Sequence, residues 1–233
     1  IGMERVKSQL LPFERMTREP YHYLRSYYDL QHWSPDGNYL LCHRTAFRDR
    51  LQTQSDRAEL GMIRRSDNCF IPLAETYAWN FQQGSMLQWL PGSSGKEIIY
   101  NARLNGQWRG VIKNIESGEC RVLPRPVRSI TPDGKYALSI NYSRIFDQRP
   151  GYGYAGTPDP WKDIKCPADD GIYLIDLETG TDELIISVAD AVAALPQSPE
   201  TQVKLLINAA TFNTDGTRFM FLLRTMERPA NAD

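Results

Sequence analysis

The sequence is poor in histidine and cysteine, has no surplus of either charge, and contains no long apolar run. Its three histidines, His22, His32 and His43, all fall in the first 43 of 233 residues, so the rest of the chain has no imidazole for metal binding or proton transfer. The four cysteines, Cys42, Cys69, Cys120 and Cys166, lie far apart with no CxxC pair or zinc-type spacing. That argues against a disulfide scaffold and favours a cytoplasmic setting; a secreted or periplasmic one stays open, because Met3 stands behind Ile1 and Gly2 and the N-terminus reads as trimmed. Lys plus Arg (27) balances Asp plus Glu (28), which gives no field to attract nucleic acid or an anionic membrane. The apolar runs have the length of strands, far short of the roughly 20 residues of a membrane helix, so no span is expected. There is no GxSxG elbow, P-loop or HExxH, and "GYGYAG" at 151–156 does not open a helix after a strand, as a dinucleotide site requires.

What is present is a repeat. "HWSPDGNYLLCHR" (32–44) recurs as "RSITPDGKYALSINYSR" (128–144) and "ATFNTDGTRFMFLLR" (210–224), with a degenerate copy in "LQWLPGSSGKEIIYNAR" (87–103). Each reads as a hairpin: Pro or Thr leads into the turn, Asp bonds the local backbone, and Gly accepts the positive φ at the reversal. The residues that follow are the aromatic and aliphatic types that suit a pleated sheet.

A second unit follows the hairpins. "RGVIKNIESGECRVL" and "DGIYLIDLETGTDELIISV" each read as strand, turn and strand, and "AELGMIRRSDNCFIPLAE" (58–75) supplies the same pair to the first copy. Four strands per repeat predict an all-β propeller of antiparallel blades. Gly95 and Gly134 lie 39 residues apart, close to the roughly 40 to 45 of one blade, and loop insertions account for the wider gaps on either side. The expected organisation is an N-terminal extension over 1–30 packing on the ring and a propeller over 31–233. Its blades span about 31–80, 86–125, 127–190 and, in part, 205–233. An incomplete ring would expose edge strands, so further sequence or another chain is expected to close it. The alanines of 187–202 predict a short helix capped by Ser187 and stopped by Pro196.

The "SPDG", "TPDG" and "NTDG" turns with their "YLIDLETG" companions resemble the WD40-like (PD40-type) repeats of TolB-type propellers. More specifically, "DGIYLIDLETG" followed by "FNTDGTRFMFLLR" looks like the oligogalacturonate-lyase-like propellers. The resemblance covers about residues 30–225. It implies β-elimination of short pectic oligouronides at a histidine-rich divalent metal site with basic residues on one face. The blade beginning at Thr211 has "LLR" and no histidine, so no metal ligands are assigned.

The long connections 45–57 and 145–170 both join second to third strands, which places them on one face, the expected binding face. Arg44, Arg103, Arg144 and Arg224 end the second strand of each copy. With Arg48, Arg50, Arg109, Arg149 and Arg228 they would form a rim that attracts carboxylate, sulfate or phosphate. The alternative is that they cap strand ends and pair with Asp49, Asp56, Asp147 and Glu227. Tyr152, Tyr154 and Trp161 in the Gly/Pro-rich insertion are candidates for stacking on sugar rings, or else pack the loop onto the blade beneath. Asp147, Asp159, Asp163, Asp169 and Asp170 match no cation-binding loop and read as a solvated surface. His43, beside Arg44, is the candidate base for proton abstraction next to a carboxylate.

Two functions compete. One is a carbohydrate-related propeller that recognises acidic, uronate-type oligosaccharides, with the lyase chemistry resting on the resemblance alone. The other is a noncatalytic propeller that holds a protein partner on its long loops.

Overall fold

The computed structural model describes residues 14–196 and 203–225. The repeated turns form as their residues dictate. In the first, Asp36 Oδ1 accepts from the Ser34 hydroxyl (2.5 Å) and from the Asn38 backbone N–H (3.0 Å), and Gly37 takes φ +70°. Thr131, Asp133 and Gly134 repeat this arrangement, with Asp133 Oδ1 accepting from Thr131 (2.7 Å) and from Lys135 N–H (3.1 Å) and with φ +74° at the glycine. Asp215 Oδ1 accepts from Thr217 N–H (2.8 Å), and Gly216 again takes φ +74°. In the degenerate copy Ser93 takes over the bonding, accepting from Glu97 N–H (3.3 Å), with Gly95 at φ +77°. The second turns close as Asx-turns: Asn114 Oδ1 accepts from Glu116 and Ser117, and Asp176 Oδ1 from Glu178 and Thr179.

Among the described residues these turns organise three four-stranded antiparallel sheets and one hairpin, in chain order. The first blade holds β1 (His22–Leu24), β2 (Tyr39–Thr45), β3 (Ala58–Arg64) and β4 (Cys69–Thr76). The second holds β5 (Gln88–Trp89), β6 (Glu97–Leu104), β7 (Gln107–Asn114) and β8 (Cys120–Val122). The third holds β9 (Ser129–Ile130), β10 (Tyr136–Ser139), β11 (Gly171–Asp176) and β12 (Asp182–Ser187). The last hairpin is β13 (Leu205–Phe212) with β14 (Phe219–Thr225). This is the all-β propeller architecture expected from the repeats. Residues 22–24, inside the segment read as an N-terminal extension, add a strand to the first sheet by pairing His22 with Thr45 and Leu24 with His43.

Strand alternation distributes the core between blades. On β6, Ile98 and Tyr100 pack with Leu41, Leu60 and Trp89 toward the first blade, whereas Ile99 packs with Leu123, Val127, Ala137 and Ile175 toward the third. Leu138 then turns the other way, joining Ile140, Ile172, Leu205 and Ile207 against the last hairpin. Each fully buried aliphatic side chain of this kind contributes about 1.5–3 kcal/mol. Cys42 is one such buried group, and burial pushes its thiol up to about 12.

Among the described residues two short helices break the β pattern. α2 (Val188–Ala193) begins at Ser187 in a full capping box with Asp190, as the sequence predicts. α1 (Tyr142–Gln148) replaces the strand that was expected to run on to Arg144: β10 stops at Ser139, and Asn141 caps the helix by accepting from Arg144 N–H at 2.9 Å.

Candidate functional site

The two long connections meet, as their shared face requires. Asn80 donates to Tyr152 O (3.0 Å), Gln52 to Gly153 O (3.4 Å) and Thr157 to Gly106 O (3.1 Å), so the insertion leaves the third blade and crosses the second to reach the first. Arg103 donates to Gln54 O at 2.8 Å and lies 5.0 Å from the Tyr77 ring, which ties the other long loop to the second blade.

The expected arginine rim is divided among separate tasks. Arg44 makes a two-pronged bond to Glu59 (2.7 and 3.1 Å) and packs over the Tyr21 and Phe70 rings. Arg50 pairs with Asp56 at 2.6 Å, Arg48 is exposed, and Arg149 lies 3.8 Å from the Tyr152 ring. Arg224 sits half-buried on β14 opposite Leu206; Glu227 and Arg228 lie outside the described residues.

Arg144 corrects the rim outright. On α1 its side chain turns inward, and it bonds Leu205 O, Asp159, Trp161 O, Ile164 O and Lys165 O at 2.6–3.2 Å. Tyr154 is likewise interior: it stacks on Tyr142 (4.1 Å, 8°), meets Trp108 edge-on and accepts from Asn101 Nδ2 at 3.0 Å. It seats the insertion and cannot face a sugar.

His43 is also enclosed. Its Nε2 accepts from the Ser85 backbone N–H (2.9 Å) and lies 2.8 Å from the Ser85 hydroxyl, and burial holds its pKa down at about 3. A fully buried neutral ring whose accepting nitrogen is occupied is not available as a base for a bound ligand, which removes it from the site. Among the described residues, no three His, Cys, Asp or Glu side chains converge in a way that could hold a metal ion. The histidine-rich divalent site implied by the resemblance therefore does not fit these residues.

The insertion does enclose a pocket. Between the second and third blades, beneath residues 157–161, a cavity of about 290 Å³ is lined by Arg109, Arg125, Asn141, Trp161, Asp170 and Tyr173 among others. Arg125 is held by Asp182 (2.5 Å) and lies 3.2 Å over the Tyr173 ring, and Arg109 is steadied by Pro124 O and Gln107. Asn141 donates to Asp159 (2.9 Å) and Asp170 (2.8 Å), joining two buried carboxylates. Burial pushes Asp170 up to about 6; the Asn141 bond works against that shift and the nearby Asp159 charge adds to it. The pocket thus combines guanidinium groups, aromatic faces and a carboxylate whose pKa burial raises to about 6. Of these residues the sequence pointed to Trp161 and Arg109, and to Asp170 only as part of a solvated surface. Arg125, Asn141 and Tyr173 carry no motif.

No family model and no curated protein matches the chain. Solved structures do. An oligogalacturonate lyase in complex with manganese is 14% identical with a TM-score of 0.53, over 93% of this chain and 56% of that one. An oligogalacturonate lyase from Vibrio parahaemolyticus is 12% identical with a TM-score of 0.50, over 85% of this chain and 45% of that one. TolB from Acinetobacter baumannii is 14% identical with a TM-score of 0.44, over 91% of this chain and 39% of that one. The two lyase structures show the propeller fold, and the chain spans about half of their length.

Proposed function

We propose that this propeller recognises acidic, uronate-type oligosaccharides, and that it does so in the pocket between its second and third blades. The observation that carries the reading is the placing of Arg109 and Arg125 beside Trp161 and Tyr173 in one cavity. Guanidinium groups suit carboxylates, and aromatic faces suit the C–H surfaces of sugar rings. The likeness to two lyase structures supports the fold on which the reading rests and does not reach its chemistry. The proposal is for recognition. With His43 enclosed, the β-elimination that the resemblance implies has lost the base first assigned to it.

The test is calorimetric titration of the protein with trigalacturonate and with a neutral trisaccharide. The acidic sugar should bind, the neutral one should not, and added salt should weaken binding. Arg109→Ala and Trp161→Ala should each raise Kd by about tenfold, equivalent to 1.4 kcal/mol. Equal binding of both sugars, or binding untouched by either substitution, defeats the proposal. No binding at all shifts the weight to a protein partner on the long loops.

A further inference from the structure

Two arginines are among the largest fully buried side chains of this protein, and they are treated in opposite ways. Arg144, 1% exposed, has four backbone carbonyls and the Asp159 carboxylate as acceptors. Arg128 is also 1% exposed, yet its Nε and Nη1 are enclosed with no hydrogen-bond partner among the described residues. Among the described residues it has no ion pair either; the Tyr27 ring lies 5.4 Å from the guanidinium carbon, and the Arg128 charge also acts on the buried Tyr142 and Tyr154 hydroxyls.

The position of Arg128 is fixed. Its N–H donates to Leu138 O at 2.7 Å, and the preceding Val127 is clamped by Asn101, which accepts from its N–H (2.7 Å) and donates to its carbonyl (2.8 Å). The residue therefore stands at the entry to β9, the inner edge strand of the third blade. A buried lysine could shed its proton to relieve an unmatched charge. Arginine cannot, so an enclosed guanidinium calls for a counter-charge. Tyr27 itself is only half-buried, so the side chain over Arg128 is one that solvent already reaches.

We propose that Arg128 anchors an oxyanion-binding site on the inner edge of the third blade, separate from the pocket between the blades, and that this site takes one carboxylate or phosphate group of a small ligand. Planar N–H donors left without acceptors match either group, and the missing counter-charge is what the ligand supplies.

Thermal melts of the full chain in acetate, inorganic phosphate and sulfate, titrated in the millimolar range at matched ionic strength, test this. At least one anion should give a saturable rise in Tm, because a ligand that binds only the folded chain stabilises it by mass action. Acetate alone would identify a carboxylate ligand, and phosphate with sulfate a phosphoryl one. The rise should persist in Arg109→Ala, whose arginine lines the other pocket, and disappear in Arg128→Met. In anion-free buffer, Arg128→Met should melt at or above the parent, since it removes an unmatched charge. Arg128→Lys keeps the charge without the fork and should weaken the response at least tenfold, a result that decides the matter even if the methionine variant does not fold. No saturable rise with any anion, an equal rise in parent and Arg128 variants, or a lower Tm for Arg128→Met without anion overturns the proposal.

Discussion

Arg144 Nη1 lies 3.2 Å from Asp159 Oδ2, with the two side chains 1% and 0% exposed, and this pair holds the long insertion on the propeller. Asp159 also accepts from Asn141 Nδ2 and from the Trp161 N–H, while Arg144 reaches three carbonyls between residues 161 and 165. Lys204 stands 3.5 Å from the same carboxylate. One cation on α1 thus gathers the far half of the loop and ties it to β13 through Leu205 O.

Arg144→Met should therefore destabilise the protein by about 3–5 kcal/mol, because it leaves the buried Asp159 carboxylate with Lys204 as its remaining cation and frees several buried carbonyls. Urea unfolding measures the loss, and limited proteolysis should show new cleavage within 149–166. Adding Asp159→Asn should cost much less than the sum of the single changes. Additive losses would mean that the two groups act independently.

Asp170 gives a pH signature. Its folded pKa of about 6 lies above the ordinary carboxylate value of 3.8, so the folded state holds the proton more tightly. Its contribution to stability then rises as pH falls through 6 and levels off below the unfolded value, for a total of up to about 3 kcal/mol. Asp170→Asn should match or exceed the parent at pH 7.5 and lack this part of the acid-side gain. Parallel Tm profiles from pH 7.5 to 4 for parent and variant would contradict the assignment.

His43 works in the other direction. With its folded pKa held near 3, the unfolded chain takes up the proton first, so stability present above the ordinary value of 6.5 is lost as pH falls below it. His43→Gln should lower stability at pH 8 through lost packing and show a shallower decline between pH 6.5 and 4. An unchanged slope would place the titration elsewhere.

Gly153 is where the insertion touches α1. A Cβ there would lie 2.1 Å from Phe146 N and 2.5 Å from Tyr142 O, both backbone atoms that cannot swing away. Gly153→Ala should cost about 1–3 kcal/mol and loosen the Tyr142–Tyr154 stack, visible as a changed near-ultraviolet circular dichroism signal. A neutral substitution would show that the segment shifts freely.

The blades were legible because each rests on neighbours in sequence. Asp36, Asp133 and Asp215 bond the backbone two residues on, the following glycines take positive φ, and the strands then alternate between two cores. The shared face of the two long connections followed from strand direction alone. The arginine rim was not legible, because equal places in a repeat do not give equal surroundings. Arg44 meets Glu59 across one strand pair, whereas Arg144 falls on a helix where its counterparts fall on strands.

What the sequence determined by itself is the repeat, the turn chemistry and hence the propeller, since these depend on contacts a few residues apart. Tertiary structure alone decided which charges are used up and which are free. Arg144 finds an acceptor 61 positions away at Leu205, Asn101 finds Tyr154 53 positions away, and Arg128 Nε and Nη1 find none among the described residues. A guanidinium's role depends on whether its enclosure supplies acceptors, and enclosure is set by segments that meet only when the blades pack.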